Sequence, residues 1–246
     1  MTLELHAFVL DAHDPALLAR FWAGLLGREV VADPDQPDVH VLPPTSDTEF
    51  QLDFAPTDAP KSGPNQMHFD LRSETPAEMA ATVARVLELG GDHLDIGQGD
   101  VDHVVMADPE GNEFCVIPAG NNFLADTARI GALSSDGSQA VGYFWSKALG
   151  WPLVWDQDEE TAIQSPRGGS KISWGGPPFN QKQGKNRVHL DLVSSPGSDQ
   201  STEVDRLLAL GAHRIDIGQG DVDWVVMADP DGNEFCVLQP RWPTAG

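Results

Sequence analysis

One stretch of this chain occurs twice, and no other feature constrains the fold as tightly. Residues 95–116 read DIGQGDVDHVVMADPEGNEFCV and residues 216–237 read DIGQGDVDWVVMADPDGNEFCV, at an offset of 121 (216 − 95). Only His103/Trp224 and Glu110/Asp231 differ. Phe21-Trp22 with Leu26-Gly27 returns as Phe144-Trp145 with Leu149-Gly150, and His68-Phe69-Asp70-Leu71 returns as His189-Leu190-Asp191-Leu192. Landmarks that keep their order and spacing mark duplication of a whole unit of roughly 120 residues. The chain reads as two tandem copies, 1–119 and 124–246, joined in the loop-rich stretch Pro118 to Ala128.

Each copy has an inner rhythm. In the first, Leu3–Leu10 is strand-like, and Asp14-Pro15 opens a helix with apolar residues at Leu17, Leu18, Phe21, Trp22, Leu25 and Leu26. Asp14 suits the N-cap, Pro15 the first helical position, and Gly27 the stop. Short strands follow near Glu29–Ala32, Val39–Leu42 and Glu49–Phe54. The series then restarts with strand Gln66–Leu71, helix Pro76–Leu89 and strands near His93–Ile96, Val101–Ala107 and Glu113–Ile117. Asp108-Pro109-Glu110-Gly111 is a turn, so the last two strands form a hairpin. The chain is thus four βαβββ modules, an α+β fold.

Composition removes several functions. Fifteen Lys+Arg against 38 Asp+Glu leave a net charge of −23, which repels a phosphate backbone and argues against nucleic acid. The same charge would attract a cationic ligand, or simply keep the surface soluble. No run approaches the roughly 18 apolar residues that span a membrane, and the start, Met1 to His6, lacks a secretory pattern. Two cysteines suit a reducing cytosol, so a cytoplasmic location is expected. No Ser-His-Asp order, Cys-x-x-Cys pair or phosphate loop supports a hydrolase or nucleotide binder.

Side chains alternate faces along a strand. Parity groups Glu4, His6 and Phe8; Glu49, Gln51 and Asp53; Gln66, His68 and Asp70; and Glu113, Cys115 and Ile117. His6, His68 and Glu113 could then converge, with Gln51 as a fourth oxygen donor. Two imidazoles and a carboxylate with open positions suit a divalent metal. Cys115 and Cys236 read as small buried hydrophobes.

The βαβββ pairs resemble the vicinal-oxygen-chelate superfamily, which includes glyoxalase I, extradiol dioxygenases and bleomycin-resistance proteins. The resemblance rests on Asp14-Pro15…Phe21-Trp22…Leu26-Gly27, on His68-Phe69-Asp70-Leu71 and on Asp108-Pro109-Glu110-Gly111-Asn112-Glu113-Phe114, all repeated in the second copy. It implies two glyoxalase-like domains, each a partly open curled mixed sheet with helices outside. It also implies metal ligands His6, Gln51, His68 and Glu113 in the first copy. In the second copy His189 and Glu234 remain, while Arg129 aligns with His6 (129 − 6 = 123) and Lys171 with Gln51, so that site is degenerate. Some members build each cavity from modules of two copies, which would face His6 and Gln51 with His189 and Glu234. The sequence leaves that pairing open.

The resemblance implies one divalent ion at most per chain (Fe, Ni, Zn or Mn) and a lyase or dioxygenase acting on a small oxygen-chelating substrate. A metal-free antibiotic-binding protein is the alternative, and a non-catalytic scaffold or regulatory duplicate the third. Four modules in one chain form an internal pseudo-dimer, so a monomer is expected.

Overall fold

The computed structural model describes residues 3–33, 36–180 and 182–239; the outer ends of the two expected copies lie outside them. The first module holds β1 (Leu3–Ala12), α1 (Pro15–Leu26), β2 (Val31–Ala32), β3 (His40–Leu42) and β4 (Gln51–Pro56). The second holds β5 (Met67–Arg72), α2 (Pro76–Glu88), β6 (Asp92–His93), β7 (Val104–Ala107) and β8 (Glu113–Ile117). The third holds β9 (Ile130–Ser135), α3 (Gln139–Leu149), β10 (Leu153–Gln157), β11 (Glu160–Gln164) and β12 (Lys171–Trp174). The fourth holds β13 (Val188–Ser194), α4 (Gln200–Leu210), β14 (His213–Arg214), β15 (Val225–Ala228) and β16 (Glu234–Leu238). Four βαβββ modules are present as expected. The α1 boundaries follow from chemistry: the Asp14 carboxylate accepts from the Leu17 N–H, and Gly27 ends the helix in the left-handed region at φ 70°. Among the described residues no helix is long and apolar enough to cross a membrane.

The strands form two open eight-stranded mixed sheets, and each sheet draws on both copies. The first runs β14-β15-β16-β13-β1-β4-β3-β2 and the second β10-β11-β12-β9-β5-β8-β7-β6. Their seams are the antiparallel pairs β1–β13 and β5–β9. The first and fourth modules therefore share one sheet, the second and third the other.

The cores follow a different partition. Trp22 of α1 packs on Phe69 and Phe114 of the second sheet, with ring centroids 5.4 and 5.0 Å away. Its indole N–H donates to Asp108 at 3.4 Å. The second copy repeats this with Trp145, Phe235 at 5.0 Å and Asp229 at 3.1 Å. Each such side chain, fully buried, contributes roughly 1.5–3 kcal/mol. Aromatic packing thus ties each copy together, while hydrogen-bonded seams, joined by the Phe50–Trp151 stack at 6.0 Å, tie the copies to each other.

A bulge decides which residues of β1 face where. Leu5 lies opposite Leu192 and Ala7 opposite Asp191, so His6 is the extra residue. The shift puts Phe8 and Leu10 in the helix-covered core with Leu3, and turns Ala7 and Val9 to the other face. Phe8 does not share a polar face with His6, contrary to simple alternation. In β9 the extra residue is Gly131, between Leu71–Ile130 and Asp70–Ala132. Gly131, rather than Arg129, is therefore the counterpart of His6. Gln51 beside Ala7 and Lys171 beside Ala132 do correspond.

Candidate functional site

On the face of the first sheet away from the helices, Val9 lies between His189 and Asp53, and Ala7 between Asp191 and Gln51. Asp191 is also beside Cys236 on β16. Two short side chains in the middle strand leave the polar groups of both outer strands facing one space. Ligand atoms of His189, Asp191 and Cys236 all lie within 4.8 Å of one another. His189 Nε2 is 3.4 Å from Asp191 Oδ1, and Gln51 Nε2 donates to both Asp53 oxygens at 2.9 and 3.2 Å.

The electrostatics of this cradle are unbalanced. Burial pushes the Asp53 carboxyl up to about 7; the charges of Asp191 and Asp33 add to this, against the Gln51 hydrogen bond and His189. Burial pulls His189 down, but Asp191 and Cys236 outweigh it and raise the imidazole to about 10. Burial, opposed by His189, pushes the Cys236 thiol up. His189 Nδ1 is buried without a hydrogen-bond partner, and Asp191 Oδ1 is met only by the His189 Nε2 at 3.4 Å. A buried polar atom is rarely left unmet, so His189 Nδ1 is open to a further partner.

The second sheet repeats the triad. Ligand atoms of His68, Asp70 and Cys115 lie within 4.8 Å, and His68 Nε2 is 3.5 Å from Asp70 Oδ1. Across the strand the chemistry changes. Ser173 stands where the first sheet has Asp53, and Lys171 where it has Gln51. Ser134 donates to Asp70 at 2.6 Å and sits 3.2 Å from Ser173. Lys171 donates to the Phe123 carbonyl and lies 4.5 Å over that ring, its pKa lowered by burial. The His68 side chain is 35% exposed against 10% for His189, so this cradle is the wetter one. Burial pulls His68 down, yet Asp70 and Cys115 raise it to about 10.

The four ligands expected in the first copy are divided between the sheets. His6 and Gln51 belong to the first, on β1 and β4, and His68 and Glu113 to the second, on β5 and β8. They do not form one centre, because modules pair across copies. His6 is exposed at its bulge. Glu113 accepts from Lys61 Nζ at 2.7 Å and the Asn65 N–H at 3.4 Å. Glu234 likewise accepts from Lys182 Nζ at 2.5 Å and the Asn186 N–H at 3.3 Å. Arg129 pairs with Glu78 and Thr82 and donates to the Arg72 carbonyl. Of the second set, His189 alone enters a cluster, with Gln51 holding Asp53 beside it.

Sequence reasoning put Asp70 on the His68 face without naming it a ligand, read Cys115 and Cys236 as small buried hydrophobes, which they are, and did not single out Asp191. The signal was present in the His-x-Asp spacing of β5 and β13, which puts both groups on one face, and in the cysteines on the adjoining strands. The first-sheet donor set fits a divalent metal: nitrogen, oxygen and sulfur ligands, an unmet buried imidazole nitrogen and a second carboxylate. Imidazole with thiolate favours Zn or Fe over Mg or Ca.

Among solved structures the fold is similar to glyoxalase I from Zea mays, at 14% identity and a TM-score of 0.65, covering 97% of this chain and 92% of that one. It is also similar to a putative dioxygenase from Bacillus subtilis, at 14% identity and a TM-score of 0.60, covering 97% and 86%. No functionally curated protein matches the chain. The family model described as a glyoxalase-like domain matches residues 7–117 and again 132–238. With two matches spanning most of its length, the chain belongs to the glyoxalase-like domain family, of vicinal-oxygen-chelate fold.

Proposed function

We propose that the first-sheet cradle binds one divalent metal through His189, Asp191 and Cys236, and that the protein is a metal-dependent enzyme acting on a small oxygen-chelating substrate. The observation that carries this reading is the convergence of those three donors, with the buried His189 Nδ1 lacking a partner. When bound, such an ion supplies Lewis-acid stabilisation of charge developing on a substrate oxygen. The chain's own groups do the rest. Gln51 fixes the Asp53 carboxyl, which at about 7 can hold or release a proton near neutral pH, as a general acid or base must. Cys236 must lose its proton on coordination, so binding releases acid. The second-sheet cradle has Ser173 in place of Asp53 and carries Lys171, which keeps the expected stoichiometry at one.

A second reading has its own support. Both family glutamates, Glu113 and Glu234, are engaged by lysine ammonium groups, an arrangement suited to a metal-free ligand-binding protein.

The test is metal content by mass spectrometry on untagged protein, beside a His189→Ala/Asp191→Asn variant and a matching His68→Ala/Asp70→Asn variant. Near one Zn or Fe per chain, lost only in the first variant, is expected. Melting should rise with metal, by about 2.7 kcal/mol at 100 times its Kd. No metal and no shift overturns the enzyme and favours the metal-free reading. A positive result would send 2-oxoaldehyde–thiol adducts and catechols into activity screens.

A further inference from the structure

A cavity of about 320 Å³ opens at the end of β5 and β8, under the segment that joins the two copies. Its lining includes Arg72, Glu74, Asn121, Ile117, Leu124 and Ala125. Arg72 and Ile117 are paired across the two strands, so the floor belongs to the second sheet and not to the first-sheet cradle.

This is a fixed site rather than a gap between loops. The Arg72 N–H donates to the Arg129 carbonyl at 3.0 Å, and its own carbonyl accepts from Arg129 Nη1 at 2.7 Å. Arg72 Nη1 donates to the Thr127 carbonyl at 2.9 Å, which pins the guanidinium against the roof. The roof is held in turn. Asn121 Oδ1 accepts from the Leu124 N–H at 3.0 Å, and Thr127 Oγ1 donates to the Leu124 carbonyl at 2.7 Å. The Leu124 side chain seats on Gly131, where a Cβ would come within 2.8 Å of it. Ser73, only 3% exposed and with its hydroxyl unpartnered, is also part of the lining.

What remains open on Arg72 is Nη2, which faces Glu74 Oε1 at 3.4 Å. The Glu74 side chain is 69% exposed, so that ion pair is weak, screened and exchangeable. A carboxylate offered to the pinned guanidinium would make charge-assisted hydrogen bonds in its place. The displaced Glu74 would then accept from a cation. A chain of net charge −23 repels a bare anion, whereas a ligand carrying both charges is not repelled. Cavities that hold small ligands start near 300 Å³, so this one takes a compact molecule.

We propose that this cavity binds an α-amino acid with a small apolar side chain, its carboxylate on Arg72, its ammonium on Glu74 and its side chain against Ile117, Leu124 and Ala125. The proposal is independent of the metal reading, and its test uses the full chain after EDTA treatment to keep the two apart. Titration calorimetry with L-leucine is expected to show saturable binding. 4-Methylpentanoate, which lacks the ammonium, and isopentylamine, which lacks the carboxylate, should each bind at least about tenfold more weakly. Glu74→Gln should weaken L-leucine about tenfold while 4-methylpentanoate, freed of the competing carboxylate, binds at least as well as to the parent. Arg72→Gln also loosens the roof, so Ala125→Phe, which fills the cavity without touching an Arg72 partner, provides the second loss. The proposal is overturned if L-leucine, L-valine and L-alanine all fail to bind at millimolar concentration. It is overturned equally if 4-methylpentanoate matches L-leucine, or if Glu74→Gln and Ala125→Phe bind as the parent does.

Discussion

At the scale of single residues, Asp53 and Gly142 show how local environment overrides intrinsic preference. A carboxyl near 3.8 when unfolded and about 7 when folded favours the folded state below pH 4. That stability is lost as pH rises through about 7. Asp108 and Asp229, both raised to about 6, chiefly by burial, act in the same direction. His189 runs the same way at higher pH, its contribution complete below about 6.5 and lost through about 10. In EDTA, Asp53→Asn should therefore match the parent near pH 4 and become more stable by on the order of a few kcal/mol at pH 8. Melts across that range decide it, and a difference independent of pH would refute the assignment. Gly142 makes the opposite point. Alanine at a helix interior normally gains up to about 1 kcal/mol over glycine. Here a Cβ would lie 2.0 Å from Thr161 Oγ1, a side chain only 1% exposed. Overpacking of about 1–3 kcal/mol wins, so Gly142→Ala should lower the denaturation midpoint.

Elements reveal how much the sequence could disclose. The helix starts at Asp14-Pro15 and at Pro76 and the turn at Asp108-Pro109 were legible, because caps and turns are written in adjacent residues; the Thr75 cap appears only in the structure. Helix α1 matches its expected span, and β8 ends where alternation places it. The β1 bulge was not legible: nothing around His6 marks an extra residue, and its effect appears only against β13. Alternation applied across it misassigned Phe8. The same blindness hid a link between turn and helix. Glu110 accepts from the N–H groups of His13 and Asp14 at 2.9 and 2.7 Å and from Arg187 at 3.3 Å. One turn residue thus secures the start of α1, while Asp231 secures Ser138 ahead of α3. With Glu110 and Arg187 both 8% exposed, Glu110→Ala leaves a buried cation uncompensated. A loss of about 3 kcal/mol is expected by denaturant titration, against a much smaller one for Ser201→Ala at an exposed position of α4.

At the scale of the whole molecule, the repeat announced two copies, and the family resemblance announced the fold. Which modules share a sheet was open, because strand pairing between copies leaves no mark on either copy alone. The expected ligands were chosen by copy, and so they fell into two sheets. We expect residues 1–119 and 124–246, made as separate polypeptides, to show depressed melting alone, since each would lack its β1–β13 and β5–β9 partners. Mixed, they should recover the parent's melting, and sedimentation should give a mass near 26.5 kDa. Independent folding of either half to the parent's stability would contradict the seam as the main tie. The uncut chain, with both seams satisfied internally, should sediment as a monomer.

The two cradles share an imidazole, a carboxylate and a thiol, yet one faces Asp53 and Gln51 and the other Ser173 and Lys171. Two identical subunits related by a twofold axis could not hold that difference, because any substitution would appear in both cavities at once. Fusion into a single polypeptide breaks the obligation. One cavity can turn acidic while its twin acquires a fixed cation, and the pair can specialise without either losing the scaffold that the other half completes.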